Sequence, residues 1–401
     1  MLTKVNIAQL RDAIGQASHT LDTKAASIGS YVFLIARQAK PSGQTVGLES
    51  KSLLLIYTSN LGLARTLLKV EAEVEKDGIA LIQPKLLQAI LASLPDEDNI
   101  ELTLSPSGSK LQVKYEQIKS EIAVHADSAK MSTVLSTIPS LSQPDLTVSA
   151  QTLVDAISRT VFCTAMGANS VADGAWLSNV FLEAGDSSLV ATATNKIIAG
   201  KAEIHDQLVT GGFTGGIHRD ALVALKAILS KHKGEEVTIA CATSKEGNTN
   251  EILFRFSDVV LGVRQLATPY PKKVAGVFTV PSAFKTATVN RKQFAGVFTR
   301  LTAFAEGGSF ALAVSNDKVR LATRGFNSEF QEVIPKTEKT EGPVATIGLA
   351  TGDVINVLGV MQAEDVVISY NTADDHVYFQ EGNMPFHYVL SPVQLTWGKG
   401  K

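Results

Sequence analysis

Several groupings in this sequence hold residue types that do chemistry in other proteins, and each falls short of a working set. His218-Arg219-Asp220 spells the triplet with which protein kinases place a catalytic aspartate, but no asparagine follows at the required offset and no Asp-Phe-Gly occurs. It opens an expected helix, where Asp220 fits as a first-turn acid facing the positive end of the helix dipole. Gly211-Gly212-Phe213-Thr214-Gly215-Gly216 is glycine-rich but lacks the Gly-Lys-Ser/Thr ending of a phosphate loop, and reads as a turn between strands. Cys163 and Cys241 are too few for a disulfide framework and have no metal-ligand spacing, so both are expected as small buried hydrophobes. The seven histidines form no His-x-x-x-His pair and no Cys/His cluster. Asp374-Asp375 sits in polar, turn-like sequence where a solvated pair is the plain explanation. No catalytic residue, metal site or cofactor is expected.

Charge attraction to phosphate is a separate question. The formal net charge is −2, so any contact with nucleic acid must come from local basic patches. Candidates lie on or beside expected helices. Arg159 falls about 200° round its helix from Ile157, away from the apolar face. Arg300 lies similarly relative to Phe298, with Lys292 near it. Arg219, Lys226 and Lys233 are spaced by seven and form a stripe flanking an apolar face. Arg11 and Lys85 supply the first part of the chain, and Lys24 follows its first helix. The plain alternative for each is a solvated surface cation.

The elements that would carry these residues repeat. Val5-Asn6-Ile7-Ala8-Gln9-Leu10, Val148-Ser149-Ala150-Gln151-Thr152-Leu153 and Val289-Asn290-Arg291-Lys292-Gln293-Phe294 each open an amphipathic helix. They recur roughly every 140 residues, a domain-sized period. Ile7, Leu10, Ile14, Ala17 and Leu21 line one face of the first helix; Leu153, Ile157 and Val161 do so in the second. Strand patterns follow at 53–59, 188–194 and 318–324. A second helix then carries Leu87 and Leu91, Leu222 and Leu225, or Val354 and Val357, with Pro84 at the head of the first of these. Strands at 99–104, 110–115, 236–240, 251–256 and 365–370 come after the second helices. Each copy therefore reads as two helices packed on antiparallel sheet, an α+β layer design. The expected domains are 1–140, 141–278 and 279–401. The joints, 132–144 and 269–281, read as ordered connectors. With 45% hydrophobic and 19% charged residues the composition is globular. The N-terminus lacks a signal-peptide core and no apolar run reaches the roughly 20 residues of a membrane span, so no membrane contact and a cytoplasmic location are expected.

Against this pattern four segments resemble the bacterial sliding clamp, the β subunit of the replicative DNA polymerase. Trp176-Leu177-Ser178-Asn179-Val180-Phe181-Leu182-Glu183 is similar to a strand of that family. Val190-Ala191-Thr192-Ala193-Thr194-Asn195-Lys196-Ile197 resembles its V-A-T-D-G-H-R-L, with Ala193, Thr194, Asn195 and Lys196 departing from it. Tyr270-Pro271 sits where the family has an aromatic–proline pair. Tyr388-Val389-Leu390-Ser391-Pro392-Val393-Gln394-Leu395 resembles its closing Y-x-x-M-P-M-x-L, with Ser391 in place of the first methionine.

The resemblance implies a divergent member: a DNA polymerase processivity factor acting in the nucleoid at the replisome, and not an enzyme. It implies a head-to-tail homodimer closed into a ring of six domains, with helices lining the pore around duplex DNA held without sequence specificity. The basic residues named above would contact that DNA. It further implies a hydrophobic cleft that takes short peptide motifs of the replicative polymerase and the clamp loader. Matched motif by motif, that cleft comprises Leu177, Thr192, Thr194, Asn195, Lys196, Ile197, Pro271, Val277, Val389, Ser391 and Val393. Two other classes stand beside this one: a scaffold that binds only proteins, and an enzyme with an unrecognised site.

Overall fold

The computed structural model describes residues 1–21, 28–39, 51–60, 63–127, 144–166, 174–185, 187–243, 250–265, 271–305, 308–325, 328–337, 345–382 and 384–395. Among these residues the six longer helices are α1 (Ile7–Ala17), α2 (Pro84–Ala92), α3 (Ala150–Thr160), α4 (Arg219–Leu229), α5 (Arg291–Leu301) and α6 (Thr351–Val360). They fall in pairs, and each pair belongs to one copy of the repeat. A strand precedes the first helix, further strands separate it from the second, and three strands follow.

The strand before each first helix, Leu2–Asn6, Leu146–Ser149 or Lys285–Asn290, was hidden in sequence behind the helix it introduces. It pairs in each copy with the first strand after the second helix, Asn99–Leu104, Glu236–Thr243 or Asp365–Tyr370. The turn from strand into helix is built alike in the first and third copies. The Asn6 side chain accepts from the Gln9 amide and the Asn290 side chain from the Gln293 amide, both at 3.1 Å, satisfying one of the donors a helix start leaves open. The first helical N–H finds its acceptor outside the helix in all three copies: Ile7 on Asp98 O at 2.9 Å, Ala150 on Glu235 O at 2.9 Å and Arg291 on Glu364 O at 2.7 Å. One hydrogen bond thus ties the start of the first helix to the strand beyond the second, three times over.

The chain divides into two compact units. One comprises Met1–Gln151 with Asp220–Gln265, the other Thr152–Arg219 with Leu266–Lys401. The first unit is organised round a long antiparallel sheet in which Val259–Arg264, the last strand of the middle copy, pairs with Ala64–Lys76 of the first; Val259 faces Leu68. Arg65 and Glu251 brace that junction with two side-chain hydrogen bonds, at 2.6 and 2.5 Å. The second unit repeats the arrangement one copy on. Phe386–Leu390, the last strand of the third copy, pairs with Ile198–His205 of the middle copy, with Ile198 facing Leu390.

Three local expectations are corrected. The glycine-rich stretch is strand rather than turn: Phe213–His218 pairs with Asn179–Gly185, placing Gly216 opposite Phe181. A Cβ at Gly216 would lie 2.9 Å from the Phe181 ring, so the glycine makes room for an aromatic. Cys163 is buried, and burial pushes its thiol well above the ordinary range, whereas Cys241 is exposed. α1 stops at Ala17 and continues as a short 3-10 turn through Thr20, leaving Leu21 outside the helix. The first expected connector falls, but for Pro144, outside the described residues. Among the described residues no helix is long and apolar enough to cross a membrane.

Candidate peptide cleft and basic helix residues

Several of the cleft candidates lie on or beside one hairpin turn in the second unit. Ser188–Thr194 and Ile198–His205 form a hairpin, and its connecting turn is locked by side chains. Asn195 Oδ1 accepts from the amides of Ile197 and Ile198 at 2.9 and 2.8 Å. Thr194 Oγ1 donates to Ile198 O at 2.9 Å and accepts from the Lys196 amide at 3.1 Å. Short oxygen-bearing side chains suit such turns because they reach their own backbone two or three residues on. The lock holds Lys196 in the left-handed region, at φ 77°, where a side chain with a Cβ is strained. The result is an apolar tip presented to solvent: Ile197 is 50% exposed although both neighbouring strands are packed.

The tail of the chain closes on this turn. Beyond Leu390 the Ser391 amide donates to Ile197 O at 2.8 Å, and Ser391 Oγ to Lys196 O at 3.3 Å. The Val393 amide then donates to Gly348 O at 2.9 Å. Val389, one strand position back, is buried with Ala199 and Tyr378, and Val277, Phe278, Val280 and Phe284 pack against that cluster. Val277 therefore joins Val389. Pro271 caps the short helical turn Lys272–Ala275 that leads to Val277, while its aromatic neighbour Tyr270 lies outside the described residues. Leu177 is fully buried in the 3-10 turn that enters strand Asn179–Gly185. Thr192 faces Phe181 across the same pair of strands.

Gly348 went unnoticed in the sequence, although its position beside the tail makes it indispensable. A Cβ there would land on the Val393 carbonyl oxygen and within 2.9 Å of the Leu395 side chain. Gly348→Ala is expected to lift the tail and destabilise the second unit by about 1–3 kcal/mol. Thermal unfolding, with amide exchange at Val393, checks this; an unshifted midpoint together with a protected Val393 amide would refute it.

The basic residues are less uniform than their helical spacing suggested. Arg159 is a correction. It is buried, with Nη1 2.5 Å from Glu381 Oε2 and its guanidinium 3.7 Å above the Phe386 ring, so it has no surface to offer a phosphate. The stripe of three is also broken, because α4 ends at Leu229 and Lys233 sits in the turn beyond it. Arg219 is half-buried at the head of α4 and Lys226 half-buried along it. Arg11 is one-third exposed and turned onto the end of α2, donating to Leu91 O at 3.1 Å and Leu94 O at 2.9 Å while pairing with Asp96. Arg300 is exposed and doubly bonded to Glu332. Lys85 and Lys292 are exposed in the first turns of α2 and α5. Lys24 lies outside the described residues. Lys231, not picked out in sequence, is exposed and pairs with Asp12 of α1. On α6, burial pushes the Asp353 carboxyl above its usual range.

No protein-family model matches this chain, and no curated protein matches it in sequence. Solved structures do match. A DNA polymerase sliding clamp from Bacillus subtilis aligns with 98% of this chain and 99% of its own at a TM-score of 0.80 and 16% identity. The DNA polymerase III β subunit of Thermotoga maritima aligns with 98% and 100% at 0.79 and 16%. A sliding clamp from Pseudomonas aeruginosa bound to griselimycin aligns with 98% and 100% at 0.78 and 18%. The fold is that of the bacterial sliding clamp. In this chain it is built from helix pairs whose first member is tied at its start to the residue before the strand beyond the second, and from last strands that pair with the preceding copy. At the hairpin turn and the tail, Asn195 and Ser391 bond to backbone through their side chains.

Proposed function

We propose that this protein is a DNA sliding clamp, a processivity factor with no catalytic activity of its own, and that its three clamp domains span 1–140, 141–278 and 279–401. Two copies close head to tail around duplex DNA and tether a replicative polymerase and a clamp loader through the cleft at Ile197, Val389 and Val393. The observation that carries this reading is the end-to-end fold match with clamps from distant bacteria, joined to a threefold repeat in one chain.

The strand edges support closure. At both joints within the chain, the third strand after a first helix pairs with the last strand of the next copy. Only one strand of each kind is left over: Glu329–Pro335 in the third copy and Ile118–Ala123 in the first. Among the described residues each pairs on one side only. Head-to-tail contact satisfies both edges at once and closes a two-subunit circle. Carrying the first joint over gives the register. Val259, the first paired residue after its hairpin, faces Leu68, four residues beyond Ala64. The equivalent residues place Ile118 opposite Val333 and Lys119 opposite Glu332. Ile118 and Val333 are 46% and 45% exposed, an apolar pair awaiting cover.

Direct DNA contact would fall to Lys85, Lys226, Lys233 and Lys292, with Arg219 half-buried at the head of its helix and Arg11 and Arg300 held back by their acidic partners. A topological ring needs only weak phosphate contacts, and strong ones would hinder sliding. Once assembled on a nicked circular plasmid, the protein is expected to remain with the DNA through gel filtration in high salt and to be lost after linearisation. Loss from the circle under the same salt would favour a scaffold that binds proteins alone.

A further inference from the structure

The buried cation that DNA binding cannot use sits directly behind the candidate cleft. Arg159 is in the last turn of α3, and Glu381 ends the strand before Phe386–Leu390. Glu381 is 1% exposed, and both its oxygens are engaged from different directions. Oε2 takes Arg159 Nη1 at 2.5 Å, while Oε1 accepts the amides of Gln362 and of Ala363, the latter at 2.6 Å. The Arg159 guanidinium also covers Phe386. The Arg159 carbonyl accepts the Tyr388 hydroxyl at 3.1 Å, and the Phe162 ring lies 5.8 Å from that of Tyr388. Gly200 is open because a Cβ would come within 2.7 Å of Cys163 Sγ and 3.2 Å of the Tyr388 ring.

Side chains alternate faces along a strand. Phe386 and Tyr388 meet α3 and the turn after it on one face of the terminal strand. Val389 points the other way, into the cluster with Ala199, Tyr378 and Val277. The strand is thus gripped from behind by an ion pair, while its front carries the cleft. A buried ion pair is a poor source of stability compared with apolar packing of equal volume, but its hydrogen-bond directions fix position.

We propose that Arg159 and Glu381 form a positioning latch for the peptide cleft. By holding the rear face of Phe386–Leu390, the pair sets where Val389, Ser391 and Val393 stand against the Asn195–Ile197 turn, without touching the bound peptide. The inference rests on the cleft reading.

The probe is a fluorescein-labelled pentapeptide ending in leucine-phenylalanine, titrated by polarisation well below each variant's melting midpoint. Glu381→Gln keeps an acceptor for the Ala363 amide but loses the charge, and is expected to bind the probe about tenfold more weakly while still folded. Arg159→Met should lose a similar factor, and Arg159→Lys should recover part of it. The Arg159 variants carry the test if Glu381→Gln does not fold. Wild-type affinity in these folded variants, or a loss no larger than their unfolded fraction, overturns the latch. Ile197→Asp separates the two ideas. If it binds the probe like wild type, the cleft reading falls and the latch with it; if it loses the probe while Glu381→Gln keeps it, the latch alone falls.

Discussion

On the clamp reading proposed above, Ile197→Asp is expected to leave the protein folded and dimeric yet reduce peptide binding by at least about a hundredfold, a loss of about 2.7 kcal/mol. Ile197 is half exposed at the tip of a turn held by Asn195 and Thr194, so the substitution removes little packing. What it removes is the apolar wall on which a leucine or phenylalanine anchor would rest, a contact worth about 1.5–3 kcal/mol per fully buried side chain. It also places a carboxylate where the anchor would strip away its water, which adds to the loss. Val393→Asp attacks the same wall from the tail, with the Val393 amide still bound to Gly348 O. Polarisation with a hydrophobic peptide measures the loss, and primer extension by a cognate polymerase should fall to its clamp-free level. Unchanged stimulation by either variant would place the partner site elsewhere.

The repeat was legible in the sequence because it rests on local pattern. Ile7, Leu10 and Ile14 reveal a helix by spacing alone, and Asn6 with Gln9 marks its start. Leu146–Ser149 was not legible as a strand, because four residues are too few to show an alternation before the helix period takes over. Arg159 failed for a different reason. The helical wheel assumes one packed face, but α3 also buries Thr152, Val154, Arg159 and Thr160. Its partner Glu381 lies 222 residues further along the chain, and nothing local announces the pairing. Gly216 looked like a turn because the Phe181 ring that requires it belongs to another strand. Residues whose neighbours are near in sequence could be read; residues defined by a partner across the sheet could not.

The register derived for the open edges makes the strongest demand on closure. Val333→Asp is expected to dissociate the proposed dimer into folded monomers at micromolar concentration, weakening association by about two to four orders of magnitude. The substitution would set a carboxylate against Ile118 of the partner copy and beside Glu332, whose charge Arg300 already engages. Val333 is 45% exposed within the single chain, so the monomer should keep its stability and sedimentation velocity should report only the change in assembly. A destructive substitution alone would not establish the register, but a compensating one would. Adding Ile118→Lys to the same chain places a lysine opposite the new aspartate at both joints of the circle, since cross-strand opposite charges stabilise and like charges oppose. Dimer should then return in part, and with it retention on nicked circular plasmid. If Val333→Asp stays dimeric, the edges do not meet as the internal joints predict. If it dissociates but Ile118→Lys restores nothing, the strands meet in another register, and the two-residue periodicity of a sheet would then turn a different set of side chains toward the joint.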